Sequence, residues 1–108
     1  MIEINCRTDI AEGLIVTANE KGEVIATLRA EYDFPRLVIK ELDAEGALVD
    51  GLCRAALNYA VCHGVSVCDF SLTEDKMKAV ERFGFVKNDN NRIDDIGQFF
   101  STYRNCEK

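Results

Sequence analysis

GALVDGLCRAALNYAVCHGV, residues 46–65, opens on a glycine loop and continues into a helix that stops at another glycine, Gly64. From Leu48 the apolar positions are Leu48, Leu52, Ala55, Ala56, Tyr59 and Ala60, the i, i+4, i+7, i+8 spacing of a buried helix face. Gly64 falls where a C′ residue ends a helix. The spacing therefore predicts a helix over 48–63. Glu45 and Asp50 make its leading loop acidic, and Asp50 suits the positive end of the helix dipole.

Strands surround this helix. Residues 13–32, GLIVTANEKGEVIATLRAEY, place two β-branched runs around Glu20-Lys21-Gly22-Glu23, a tight hairpin in which the glycine takes positive φ. IEINCRT at 2–8 alternates as a short strand. Phe34-Pro35 turns the chain into another strand at 36–43, because proline cannot donate to a ladder. VSVCDFSL, after the helix, is apolar enough for a strand at 65–71 covered on both faces. Ser71 and Glu74 spell a capping box, with Thr73 as a competing cap, ahead of a second helix at 73–83. Met77, Val80 and Phe83 form its inner stripe, Gly84 ends it, and Phe85 folds back on the last turn. In residues 92–104, RIDDIGQFFSTYR, Ile93, Ile96, Phe100 and Tyr103 recur at helical spacing. A C-terminal helix is expected there, with a final strand as the alternative. An antiparallel meander followed by a strand–helix–strand crossover gives a mixed, mainly antiparallel α+β domain covering 1–108.

Bulk properties narrow the function. The 108 residues are 47% hydrophobic and 30% charged, with a formal net charge of −6, the balance of a globular chain rather than a nucleic-acid binder. No apolar run approaches the ~20 residues that span a bilayer. MIEINCRTDI lacks the basic and apolar regions of a secretory signal. The five cysteines are odd in number and form no CxxC pair, which points to reduced thiols, a cytoplasmic location and no metal site.

Taken together, the strand RLVIKELD, the loop Ala44-Glu45-Gly46-Ala47-Leu48-Val49, the helix ending at Gly64 and the block from Thr73 to Gly84-Phe85 resemble the GNAT superfamily of acyl-CoA-dependent N-acetyltransferases. The resemblance spans roughly residues 2–86. It implies that acetyl-CoA is the cofactor and that Leu42, Asp43, Glu45, Gly46, Ala47, Leu48, Val49 and Thr73 are the residues lining it. It also implies that Glu41 stands where some members place a general base. Pantetheine would pair with the backbone of residues 40–42. The chain departs from the family at its chemical positions. Ala44 replaces the loop's basic or amide residue, Val49 replaces a small one, Thr73 replaces an asparagine, and Val80 replaces the tyrosine acid. The two helices that usually follow the first strand are missing. Val49 is expected to crowd a diphosphate, and Glu45 and Asp50 to repel it.

Single residues carry ordinary readings beside these. Glu41 also reads as a solvated strand carboxylate, and Asp69 as a paired acid at the core margin. His63 suits a helix C-terminus, Cys62 has no convergent base, and Phe99, Phe100 and Tyr103 fit a helix docked on the sheet. Two functions stay open: an N-acyltransferase with an unspecified amine acceptor, or a catalytically silent CoA-sensing or protein-interaction module. With two covering helices lost, an exposed sheet edge or face makes a homodimer the expected partner. No nucleic-acid or membrane partner is expected.

Overall fold

A computed structural model describes residues 2–9, 13–33, 35–86 and 91–97. Along the chain come β1 (Ile2–Asp9), β2 (Gly13–Glu20), β3 (Glu23–Asp33), β4 (Arg36–Asp43), α1 (Ala47–Cys62), β5 (Val67–Phe70), α2 (Glu74–Arg82) and β6 (Arg92–Ile93). The six strands form one sheet in chain order. Every neighbouring pair is antiparallel except β4–β5, which is parallel and joined by the α1 crossover. The α+β class and the crossover are those expected from the sequence.

Alternation sorts the side chains of the sheet. Cys6, Val16, Leu28 and Leu42 lie in register across four strands, and Val16, Leu28 and Leu42 are buried. The neighbouring row, Arg7, Ile15, Arg29 and Glu41, points to the opposite face. Lys21 and Gly22 carry the positive φ pair of a type I′ hairpin between β2 and β3.

Helix α1 packs across β1, β2 and β3. It buries Val49, Leu52, Cys53, Ala56, Leu57 and Ala60, with each leucine contributing about 1.5–3 kcal/mol by leaving water. Tyr59 differs from the buried position expected of it. It is half-buried, and its ring stacks on His63 at 4.1 Å and 17°, at the margin of the core. The helix ends as a Schellman motif: Val65 N donates to Ala60 O at 3.0 Å and Gly64 N to Val61 O at 3.3 Å. Gly64 holds φ at +85°, which a side chain would strain. Because Val65 is spent on this closure and Ser66 N bonds Pro35 O, β5 starts at Val67 rather than at 65.

α2 ends in the same way, with Gly84 N on Glu81 O and Phe85 N on Val80 O, and Phe85 is buried as its fold-back requires. Its start differs from the capping box expected. Thr73 is the N-cap with no side-chain cap bond, while Ser71 N donates to Ile39 O at 2.8 Å and so keeps Ser71 alongside β4. Val80 is fully buried, and Met77 and Phe83 pack partly buried against the same core. At the C-terminal end the helix does not reach back to Ile93, which pairs with Cys68 in β6. Helical backbone begins at Ile96 and Gly97. The remainder of the segment expected to be helical, with Phe99, Phe100 and Tyr103, lies outside the described residues, as do Phe34 and Cys106.

Candidate functional site

The candidate site begins where β4 and β5 part. They pair over Arg36–Ile39 and Val67–Phe70, and the Ser71–Ile39 bond is the last link between them. Beyond it, Lys40–Asp43 keep β3 on one side and have no strand on the other among the described residues. The parting coincides with a bulge. Ile39 faces Ala30 and Glu41 faces Arg29, so Lys40 is an inserted residue. Such an insertion bends the strand and sharpens its twist. Meanwhile β5 ends at Phe70 and the chain turns through Ser71–Thr73 into α2. An open wedge of β4 backbone results, with the Ala44–Gly46 loop at its base.

That loop enters α1 through Gly46 at φ 58°, ψ −136°, with no side-chain cap. Two of the helix's leading amides turn back onto the loop: Leu48 N to Glu45 O at 3.2 Å and Val49 N to Gly46 O at 3.1 Å. Lys76 reaches across from α2 and donates to Ala44 O at 3.4 Å, which sets a cation beside the helix N-terminus. Asp50 does not project into the loop as an uncompensated charge. Arg54 Nε donates to both its oxygens, at 2.8 and 3.0 Å, and the guanidinium lies 5.8 Å from the Phe85 ring centroid. Of the two acidic residues expected to repel an anion, Glu45 is exposed and Asp50 is neutralised by its neighbour one turn on.

The residues singled out from the sequence distribute unevenly. Asp43, Glu45, Gly46, Ala47 and Thr73 are exposed around the wedge, and Leu48 is half-buried. Leu42 and Val49 belong to the core, at 4% and 2% exposure. The expected crowding by Val49 is therefore corrected: its side chain fills the interior. Glu41 is exposed and lies 3.6 Å from Arg29 on the sheet face opposite the helices. Asp69 is the paired acid at the core margin, accepting from Arg92 Nε and, at 3.3 Å, from Arg36. His63 Nδ1 sits 2.7 Å from Tyr59 O at the helix end.

Three features escaped the sequence reading. The Asp50–Arg54 pair was legible as an i, i+4 spacing. The Lys40 bulge and the Lys76 contact, which joins residues 32 apart, had no local signature.

The thiols are structural in character. Cys6, Cys53, Cys62 and Cys68 are all free. Burial pushes the Cys53 thiol up to about 12, aided by Asp50, and pushes Cys68 higher still. Neither is a nucleophile at neutral pH. Among the described residues no cluster of three or more His, Cys, Asp or Glu could hold a metal ion, and no helix is long and apolar enough to cross a membrane.

No protein-family model matches the chain, and no curated protein sequence matches it. Solved structures do. An IAA acetyltransferase from Bacillus cereus ATCC 14579 superposes with a TM-score of 0.63 and 14% identity, over 78% of this chain and 76% of that one. The fold is GNAT-like. At 14% identity the likeness concerns the backbone. The GNAT-like frame is trimmed here, since only residues 10–12 separate β1 from β2 and leave no room for two intervening helices.

Proposed function

We propose that the chain binds acetyl-CoA in the wedge between β4 and β5 and transfers its acyl group to an amine. The observation that carries this reading is the outer edge of Lys40–Asp43, which no strand among the described residues pairs and which runs down to the α1 loop. A free strand edge presents alternating donors and acceptors, which suits the amides of a pantetheine arm laid beside it and requires no particular side chains. The diphosphate belongs at Glu45–Leu48, with Thr73 opposite. The positive end of the α1 dipole and Lys76 supply the positive potential there. Arg54 removes the objection raised by Asp50. The same groups accept free CoA, so binding by itself is not evidence of turnover.

When bound, the cofactor supplies a thioester carbonyl for an amine to attack. In this reading Glu41, exposed on the β4 strand, takes the amine's proton through water. Val80, fully buried, offers no acid. A thiol leaving group of pKa ~8.5 tolerates that lack. The buried Val80 equally favours the second reading, a silent module that senses CoA or binds a protein. Both readings put the chain in the cytoplasm, in keeping with the four free thiols among the described residues.

Thermal unfolding with acetyl-CoA tests the common part. A ligand at a hundredfold its dissociation constant adds about 2.7 kcal/mol, which raises Tm by roughly 10 °C or more in a domain of this size. Release of free thiol across a panel of amines then separates the readings. Transfer abolished by Glu41→Gln with binding intact supports the enzyme, and binding with no transfer to any amine supports the silent module. No shift with either acetyl-CoA or CoA overturns both.

A further inference from the structure

The sheet ends on β1, and among the described residues β1 is an unprotected edge. Its register with β2 runs unbroken from Ile2↔Glu20 to Asp9↔Gly13, with no bulge across eight residues. The strand contains no proline, and no other strand covers its outer side among the described residues. Edge strands are normally blunted by prolines, bulges, inward charges or a covering element. None of these devices is present on β1 among the described residues.

Its two faces differ. On the helix side, Ile2 and Ile4 stay 44% and 40% exposed although α1 lies over the strand. Gly51 makes that approach possible: a Cβ there would stand 3.0 Å from Ile4 Cδ1. One turn further along, Cys6 Sγ lies 3.8 Å from Ala55 O. On the other side stand Glu3, Asn5 and Arg7, all exposed. Neither Glu3 nor Arg7 forms an ion pair among the described residues. Their partners on β2 are Asn19 and Ile15.

We propose that β1 pairs antiparallel with β1 of a second copy about a two-fold axis through Asn5, giving one continuous sheet across the dimer. In that register Glu3 of each copy stands opposite Arg7 of the other, so symmetry makes two cross-strand ion pairs on the polar face. On the apolar face Ile4 meets Cys6 and Ile2 meets Thr8. Competing registers are poorer. A one-residue slip sets the apolar row against the polar row. A two-fold axis at Cys6 sets Arg7 opposite Asn5, and one at Ile4 sets Glu3 opposite Asn5, so each leaves the charges unmatched. Self-complementary charge thus selects both the occupant of this edge and its alignment. The strand is about 25 Å long at ~3.3 Å per residue, which gives an interface at the small end of stable ones and association in the micromolar range.

The test is sedimentation or light scattering of the full chain from about 1 to 200 μM. A mass rising toward twice 12.1 kDa is expected. Glu3→Arg alone and Arg7→Glu alone should each weaken association at least tenfold, because each places like charges face to face. Mixing those two variants should restore a dimer, since each residue then finds an opposite charge. Thermal unfolding checks that each variant is folded. Should either fail, the double variant Glu3→Arg/Arg7→Glu, which reverses both signs, should dimerise like the parent. A parent that stays monomeric throughout overturns the proposal. So does a dimer that the charge variants leave unchanged, or a pair of folded variants that do not combine.

Discussion

Arg54→Met probes the contact that joins Asp50 of α1 to Phe85, just beyond the end of α2. Methionine keeps most of the stem and deletes the charge. The guanidinium is held by both oxygens of Asp50 and by the face of Phe85, at 5.8 Å from the ring centroid. The two side chains are 28% and 30% exposed, so solvent screens the pair only in part. An exposed i, i+4 pair with the acid on the N-terminal side contributes about 0.3–0.5 kcal/mol, and partial burial raises this toward ~1. The cation–π contact, near its ~6 Å limit, adds about 0.5 kcal/mol. Arg54→Met should therefore cost about 1.5 kcal/mol and lower Tm by roughly 5–10 °C. Urea unfolding of Arg54→Met, Asp50→Asn and the double variant should return a coupling of about 1 kcal/mol. Additive losses would refute the pairing. The same variants test the site: Arg54→Met uncovers the Asp50 charge and should weaken acetyl-CoA binding, while adding Asp50→Asn should recover it. Binding that stays constant across the set would separate this contact from the ligand.

The remaining expectations concern the thiols and the far side of the sheet. Burial raises Cys53 and Cys68 above the ordinary 9.0, so the native chain keeps protons that the unfolded chain releases. Their contribution is whole below pH 9 and declines above it by about 1.4 kcal/mol per pH unit per thiol. Urea unfolding at pH 8, 9 and 10 should show the decline, and Cys68→Ala should about halve it; a flat profile refutes the burial argument. Alkylation at pH 8 should mark exposed Cys62 long before Cys53 or Cys68. Asp69, whose carboxylate is 17% exposed, holds Arg36 of β4 and Arg92 of β6. Asp69→Asn should lower Tm by a few degrees and speed amide exchange at Ile93, and unchanged exchange there would show that β6 is held by its backbone alone.

The elements were legible because each carries a local chemical mark. Strand alternation, the Lys21–Gly22 turn and the two helix-ending glycines depend on residues within a few positions of one another. What misled was the assumption that a familiar loop position fixes the direction of its side chain. Val49 stands at the third residue of α1, and the turn that starts at Gly46 rotates it into the core. Asp50, next along, is turned to the surface within reach of Arg54. Ser71 shows the same limit: its bond to Ile39 draws it onto the sheet, and Thr73 becomes the cap although the S-x-x-E spacing is intact.

The wedge itself has no side-chain signature. It arises because one extra residue, Lys40, bends β4 just where β5 runs out. A backbone edge survives substitution of nearly every residue along it, so a GNAT-like fold at a TM-score of 0.63 is compatible with Ala44, Val49, Thr73 and Val80 at positions where the resemblance implies other residues. Charge behaves differently, because it depends on which side chains converge. Lys76 and Arg54 bring positive charge to a loop that reads as acidic in isolation. Backbone shape and converging cations together therefore argue for anion binding at the α1 loop, with Glu45 as the remaining opposing charge. Catalysis is a stricter demand, since proton transfer needs one particular group at one particular place, and the proposed reaction asks it of Glu41.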